Sequence, residues 1–317
     1  MRNGRKLVKH ITLSDPLSGE KVPALSLDSK GGLEFITIPD RALDIYRLSY
    51  QETMISHTNE KAGISPRNFT EQGTEGFAKN FFVGLLTTCG LCNAGRPCEE
   101  NGHAFGLHGC ISNTPCTNIE IQEEEGKATI RGIADEIHED GVHMRLYREI
   151  TADTEKDQIF IHDTIENRSA SPQPYMMMYH INFGAPFLSD KLLINGQFSY
   201  IENRDTGCLE TKEQLLRMGA PGSEKHEIVY YTRSNMDRGI TLYNPDLQIQ
   251  ALLCAKGNGL EWMGIWKNFL HSPYAIGIEP CICPGLGRVN ARKRGVLVTL
   301  LPNEKRENII SLSLNKR

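Results

Sequence analysis

Nine consecutive residues, Val142-His-Met-Arg-Leu-Tyr-Arg-Glu-Ile150, place Val142, Met144, Leu146 and Ile150 on one face of an extended chain, with His143, Arg145, Tyr147 and Glu149 on the other. Alternation with a period of two marks a half-buried β-strand, because successive Cβ atoms of a strand point to opposite faces. Residues 158–166 alternate in the same way, and 227–233, 239–243, 247–254, 295–301 and 308–314 read as further strands. Between them lie the turn signals Glu139-Asp-Gly141, Asn195-Gly196, Asn244-Pro245 and Pro302-Asn303. Many strands at short spacing predict an all-β sandwich of antiparallel strands. Helical signals are local: Thr211-Lys-Glu-Gln214 has the form of a capping box, and Thr74 is placed to cap a segment through Phe82. Such helices decorate loops. With no repeat or linker to divide it, 1–317 reads as one domain.

The charge pattern removes whole classes of partner. A net charge of −4, with no run of Lys or Arg, excludes a phosphate-tracking surface for nucleic acid or an anionic membrane. No apolar run approaches the roughly 20 residues that cross a bilayer. The stretch Met1 to Leu13 has Arg2, Arg5, Lys6 and Lys9 but no apolar core of signal-peptide length, so a soluble, cytoplasmic protein is expected. The nine cysteines are odd in number, which argues against a disulfide framework. Cys89-Gly-Leu-Cys92 followed by Cys98 has the look of a zinc knuckle but lacks a second pair; the thiols read as core fillers and no metal is expected. Gly84 to Gly95 lacks the G-x-G-x-x-G spacing, and no nucleotide cofactor is expected.

Three segments set chemically useful side chains within apolar or glycine-rich surroundings. In Pro174-Tyr-Met-Met-Met-Tyr-His-Ile-Asn-Phe-Gly184, alternation puts Met176, Met178, His180 and Asn182 on one face. In Tyr274-Ala-Ile-Gly-Ile-Glu-Pro280, Glu279 shares its face with Ala275 and Gly277, leaving open space beside a carboxylate that is costly to bury unless paired or used. In Phe105-Gly-Leu-His-Gly109, glycines flank Leu107-His108 and present His108 from a tight bend. The bland alternatives are a core histidine bonded to a carbonyl and a buried ion pair of Glu279 with Arg288 or Arg292.

Taken in order, His108-Gly109, Tyr179-His180-Ile-Asn182 and Gly277-Ile-Glu279-Pro280 resemble the aldose 1-epimerase (galactose mutarotase) superfamily. Pro39-Asp-Arg-Ala-Leu-Asp-Ile45, Gly106-Leu-His-Gly-Cys-Ile-Ser-Asn113, His180-Ile-Asn-Phe-Gly184, Ile278-Glu-Pro-Cys281, Gly287-Arg288 and Ala291-Arg292 narrow the likeness to one bacterial branch of it. The resemblance implies a galactose mutarotase-like super-sandwich with an open sugar site and no cofactor. It makes Glu279 the general base and His180 the general acid of hemiacetal ring opening. His108, Asn182 and Arg41 would bind sugar hydroxyls, with Asp205 in the place of the sugar-binding aspartate. The mutarotase stretch Asn-x-x-x-Asn-Arg is not evident near His108, and Cys110 stands where this branch more often carries arginine.

Arg41, Arg204, Arg288 and Arg292 leave open an acidic or phosphorylated sugar, since guanidinium forks suit carboxylate and phosphate. Three rival readings stand beside mutarotation. One is another sugar isomerase, epimerase or lyase on the same sandwich; a second is a non-catalytic sugar sensor. The third is a metal-dependent epimerase using His103, His108 and nearby cysteines. The sugar itself and the oligomeric state, a homodimer among the options, carry no sequence signal.

Overall fold

The computed structural model describes residues 6–29 and 32–317, so Arg2 and Arg5 lie outside the described residues. Two large antiparallel sheets form the sandwich. One has eight strands, among them Lys127–Ile137, His143–Asp153, Gln158–Asn167 and Lys305–Lys316. The other has seven, centred on Trp262–Phe269, Tyr274–Cys281 and Gln173–Gly184. A five-stranded meander beginning at Val8–Ser14 adds a third layer. The sandwich expected from the alternation is thus the fold observed.

The alternation also sorts the two faces of the central strands. Tyr175, Met177, Tyr179 and Ile181 join the main core with Leu146, Ile150 and other inward residues of the eight-stranded sheet. Met176 and Met178, one residue out of phase, belong to a separate cluster with Ala275, Cys281 and Trp266. Gln173–Gly184 and Tyr274–Cys281 are therefore covered on both sides, and their second faces lie under a cleft.

Arg148 stands on the apolar face of the very strand that announces the fold, and its side chain is wholly buried. It holds Asp163 through two bonds of 2.9 and 2.7 Å and reaches Asp44 of the meander at 3.1 Å. It also donates to Thr88 Oγ1 of Leu86–Leu91 at 2.8 Å. One guanidinium thus pins three sheets, with its donors satisfied as a buried charge requires.

Helices are short: Glu75–Asn80, Lys212–Leu216 and Arg288–Lys293. Thr211 and Gln214 form the expected capping box. Thr74 precedes its helix but makes no side-chain cap bond, and the helix stops at Asn80 rather than Phe82. All nine cysteines are free. No helix among the described residues is long and apolar enough to cross a membrane.

Candidate active site

Gln173–Gly184 and Tyr274–Cys281 pair antiparallel, Ile181 opposite Ile278 and Asn182 opposite Gly277, which sets His180 and Glu279 on the same face of adjoining strands. On its other side Glu279 pairs with Gly264 of Trp262–Phe269. A Cβ at Gly264 would fall 2.3 Å from Glu279 Oε2, and one at Gly277 2.7 Å from Oε1. Glycine at both positions is what gives the carboxylate room.

His180 Nε2 lies 3.1 Å from Glu279 Oε1. The contact is off the line of a hydrogen bond, and this buried oxygen has no partner. An unsatisfied buried carboxylate oxygen is expensive and marks where a ligand hydroxyl would fit. The other ring nitrogen, Nδ1, is 2.5 Å from Asn182 Oδ1. The Asn182 amide nitrogen donates to the carbonyls of Val83 and His180 at 2.8 and 3.0 Å, which fixes its oxygen toward the ring. Nδ1 therefore carries the imidazole proton and Nε2 is left bare beside Glu279.

Both groups are held away from their charged forms. Burial pushes Glu279 from the usual 4.5 up to about 8, with Glu227 adding to the rise and Arg204 opposing it. Burial draws His180 from 6.5 down to about 4, against the upward pull of Asn182 and Glu227. Both shifts favour a neutral carboxyl beside a neutral imidazole over the carboxylate–imidazolium pair that the resemblance implies. Opposed shifts on neighbouring groups are a common mark of acid–base sites.

His108 holds a positive φ of 61° on the loop after His103–Phe105. Its Nδ1 accepts from the Gly95 N–H at 3.3 Å, leaving Nε2–H as a donor. Burial, then the nearby His180 and Arg204, lower its pKa to about 3, so it donates as a neutral ring. The His108 and His180 ring centres are 6.1 Å apart, and Phe81 and Trp266 each lie 5.1 Å from His180. Trp266 Nε1 donates to Glu227 at 2.7 Å. The cleft these residues line measures about 210 Å³, below the roughly 300–1,000 Å³ of drug-sized pockets and suited to one sugar ring.

His180, Glu279 and His108 are thus brought together, whereas the other expected site residues are placed otherwise. Arg41 is 1% exposed, and its guanidinium is spent on the carbonyls of Ser112, Gly63 and Asn80 and on Ser112 Oγ, so it cannot reach a sugar. Asn182 is fully buried with every amide position engaged, which makes it a positioning residue for His180 rather than a hydroxyl ligand. Asp205 sits at the rim, held by Arg204 at 2.9 and 3.0 Å and by Arg96 at 3.1 Å. Arg288 lines a second cleft, where it and Arg292 clamp Glu100 at 2.9 Å, so neither neutralises Glu279.

Trp266, Glu227, Phe77 and Phe81 also line the cleft, and the sequence gives them no functional reading. Trp262–Phe269 is buried on both faces, which erases the alternation that would have flagged Trp266. Glu227 immediately precedes Ile228–Ser234, where a strand-end carboxylate looks like any surface charge.

The antiparallel sandwich, with Glu279 and His180 under a ring-sized cleft, has the galactose mutarotase-like fold, as comparisons of the whole fold show. A Klebsiella pneumoniae protein provisionally described as an aldose 1-epimerase superposes with a TM-score of 0.83 at 19% identity, over 97% of this chain and 91% of that one. A galactose mutarotase-like protein from Clostridium acetobutylicum gives 0.73 at 15%, over 98% of both chains. The galactose 1-epimerase of Lactobacillus acidophilus gives 0.64 at 11%, again over 98% of both. At these identities the likeness is one of fold. A search of the curated proteins finds no match to the sequence. Residues 19–314 match the family called domain of unknown function DUF4432, and the chain belongs to that family.

Proposed function

We propose that the protein is an isomerase of the aldose 1-epimerase type, interconverting the anomers of a neutral monosaccharide through Glu279 and His180. The observation that carries this reading is the buried pair itself. Glu279 Oε1 and His180 Nε2 stand 3.1 Å apart with the oxygen unpartnered, beneath a cleft of about 210 Å³.

Ring opening requires a base at the anomeric hydroxyl and an acid at the ring oxygen; closure on the opposite face of the carbonyl reverses both transfers. With Glu279 ionised and His180 protonated, the carboxylate takes the anomeric proton while Nε2–H protonates the ring oxygen. The open-chain sugar then faces protonated Glu279 and neutral His180. This is also the proton arrangement that burial favours in the empty cleft, so the free protein is poised for the ring-closing half of the cycle. Moving one proton between the two groups prepares the opening half without any change in net charge.

His108 Nε2–H offers a donor to a ring hydroxyl. Phe81 and Trp266 present apolar faces to the C–H side of a pyranose. A neutral substrate fits the electrostatics: Arg96 and Arg204 already hold Asp205, and Arg204 also holds Glu227 at 2.9 Å. An acidic or phosphorylated sugar would have to compete with those carboxylates.

The test is anomer exchange followed by NMR on neutral, acidic and phosphorylated aldoses. Exchange above the spontaneous rate with neutral sugars, lost in Glu279→Gln, is expected. Binding without acceleration would instead place the protein among sugar sensors, and formation of a new sugar would make it an isomerase of another kind.

A further inference from the structure

Strand Lys127–Ile137 alternates almost perfectly: Ala128, Ile130, Gly132, Ala134 and Glu136 point inward. The last of these is a carboxylate on a core face, 2% exposed. Two residues on, His138 approaches on the same side, its Nε2 at 2.9 Å from Glu136 Oε1. Cys92, 1% exposed, follows strand Leu86–Leu91, and its backbone N–H reaches the same carboxylate at 3.3 Å. Glu136 Oε2 meanwhile accepts from the backbone N–H of Leu91 at 2.6 Å. One donor atom from each of Cys92, Glu136 and His138 lies within 4.8 Å of the others.

We propose that Cys92, Glu136 and His138 form a binding site for a zinc-type divalent cation, with a fourth coordination position opening onto a second cleft. The proposal does not rest on the sugar reading. The donor set suits the ion: thiolate, imidazole and carboxylate are the three side chains zinc takes, at about 2.3, 2.0 and 2.1 Å respectively. A tetrahedron with those bonds has edges of about 3.3–3.6 Å, which small side-chain shifts reach from the present spacing. Charge also balances. The cation displaces the thiol proton and the proton between His138 and Glu136, and one thiolate with one carboxylate then neutralises a dication in a buried place. The bond from Leu91 N–H to Glu136 Oε2 is the kind of outer contact that orients a ligating carboxylate.

Two further observations point to a ligand here. Cys92, His138 and His103 all line a cleft of about 370 Å³ that shares no lining residue with the Glu279 cleft. His103 Nε2 is buried without a hydrogen-bond partner, and its ring centre is 4.4 Å from that of His138. The Cys-x-x-Cys spacing does include one ligand, but Cys89 is not its partner: it belongs to the cluster with Met176 and Met178.

The experiment uses the full-length protein, stripped with a chelator and then titrated with Zn²⁺ or Co²⁺. About one metal ion per chain should survive gel filtration. Zinc should raise Tm, and cobalt should give tetrahedral visible bands with a thiolate-to-metal charge-transfer band. Cys92→Ser should abolish that charge-transfer band and His138→Gln should lower metal content at least tenfold. Cys208→Ser, at an exposed thiol, and Glu279→Gln should change neither. The wild-type cobalt spectrum needs no variant to fold. Wild-type protein that retains no metal, cobalt bound without a thiolate band, or undiminished metal in both Cys92→Ser and His138→Gln would overturn the proposal and leave a hydrogen-bonded cluster only.

Discussion

Burial moves Glu279 up to about 8 and His180 down to about 4, and on the proposed function these two directions bear on both the rate and the stability of the protein against pH. The proposed anomer exchange needs one transferable proton on the pair. kcat/KM for anomer exchange should therefore follow a bell, falling below about pH 4 as His180 gains a second proton and above about pH 8 as Glu279 loses the shared one. Stability has its own signs. The folded protein keeps the Glu279 proton up to about 8, whereas the unfolded chain releases it near 4.5, so stability falls as pH rises through that window. His180 acts oppositely between about 4 and 6.5, where the unfolded chain binds the extra proton. The two slopes offset one another up to 6.5, and above it only the loss from Glu279 remains. Glu279→Gln should thus lower the exchange rate by about 10²–10⁴-fold while gaining stability relative to wild type progressively between about pH 4.5 and 8, since the His180 contribution is common to both proteins and cancels, as urea titrations would register. Asn182→Asp tests the positioning role: a carboxylate on Nδ1 favours the imidazolium, so the acid limb of the rate profile should move upward. A purely structural Asn182 would leave that limb in place.

At the scale of single strands, the pairing of Gly264 with Glu279 fixes how much of the acid–base pair's geometry is free to change. The predicted Cβ clash at Gly264 is with the end of the glutamate side chain, not with backbone. Gly264→Ala should therefore displace the carboxylate and leave the sheet intact, costing on the order of 10²-fold in exchange rate with an unchanged circular dichroism spectrum. Strand periodicity also explains what can be read in the sequence. His180 and Glu279 are legible because each is a polar residue in phase with small or apolar neighbours on a strand. Asn182 is legible as a residue but not as a role, since only the positions of the Val83 and His180 carbonyls reveal that its amide is saturated. Arg41 misleads because nothing local announces the Gly63, Asn80 and Ser112 carbonyls, which arrive from distant parts of the chain. The helix Arg288–Lys293 has no capping signal, as its N-cap is Gly287 with no side chain to bond.

For the whole molecule, the buried Arg148 is the contact on which three sheets converge. Replacing it with methionine leaves Asp44 and Asp163 buried without their cation, and breaking such a pair costs about 3–5 kcal/mol. A large drop in the urea midpoint is expected although Arg148 does not line the cleft. The alternation in 142–150 makes the sandwich legible, and Arg148 is the one charged residue standing on its apolar face. Asp163, in phase with Ile159, Ile161 and Ile165, faces Arg148 directly on the adjoining strand. The meeting of Arg148 with Asp44 is not legible, because that residue comes from another sheet and nothing local marks the contact.

The paired glycines beneath the carboxylate have a genetic consequence. A glycine codon is one base change from several codons for residues with side chains, and at Gly264 or Gly277 such a change would fill the space that Glu279 occupies. On the proposed function, a homologue that keeps both Glu279 and His180 yet encodes a side chain at either position should be folded but inactive, which anomer exchange by that homologue would check. If so, those two codons are as informative about the state of the site as the codons for Glu279 and His180 themselves.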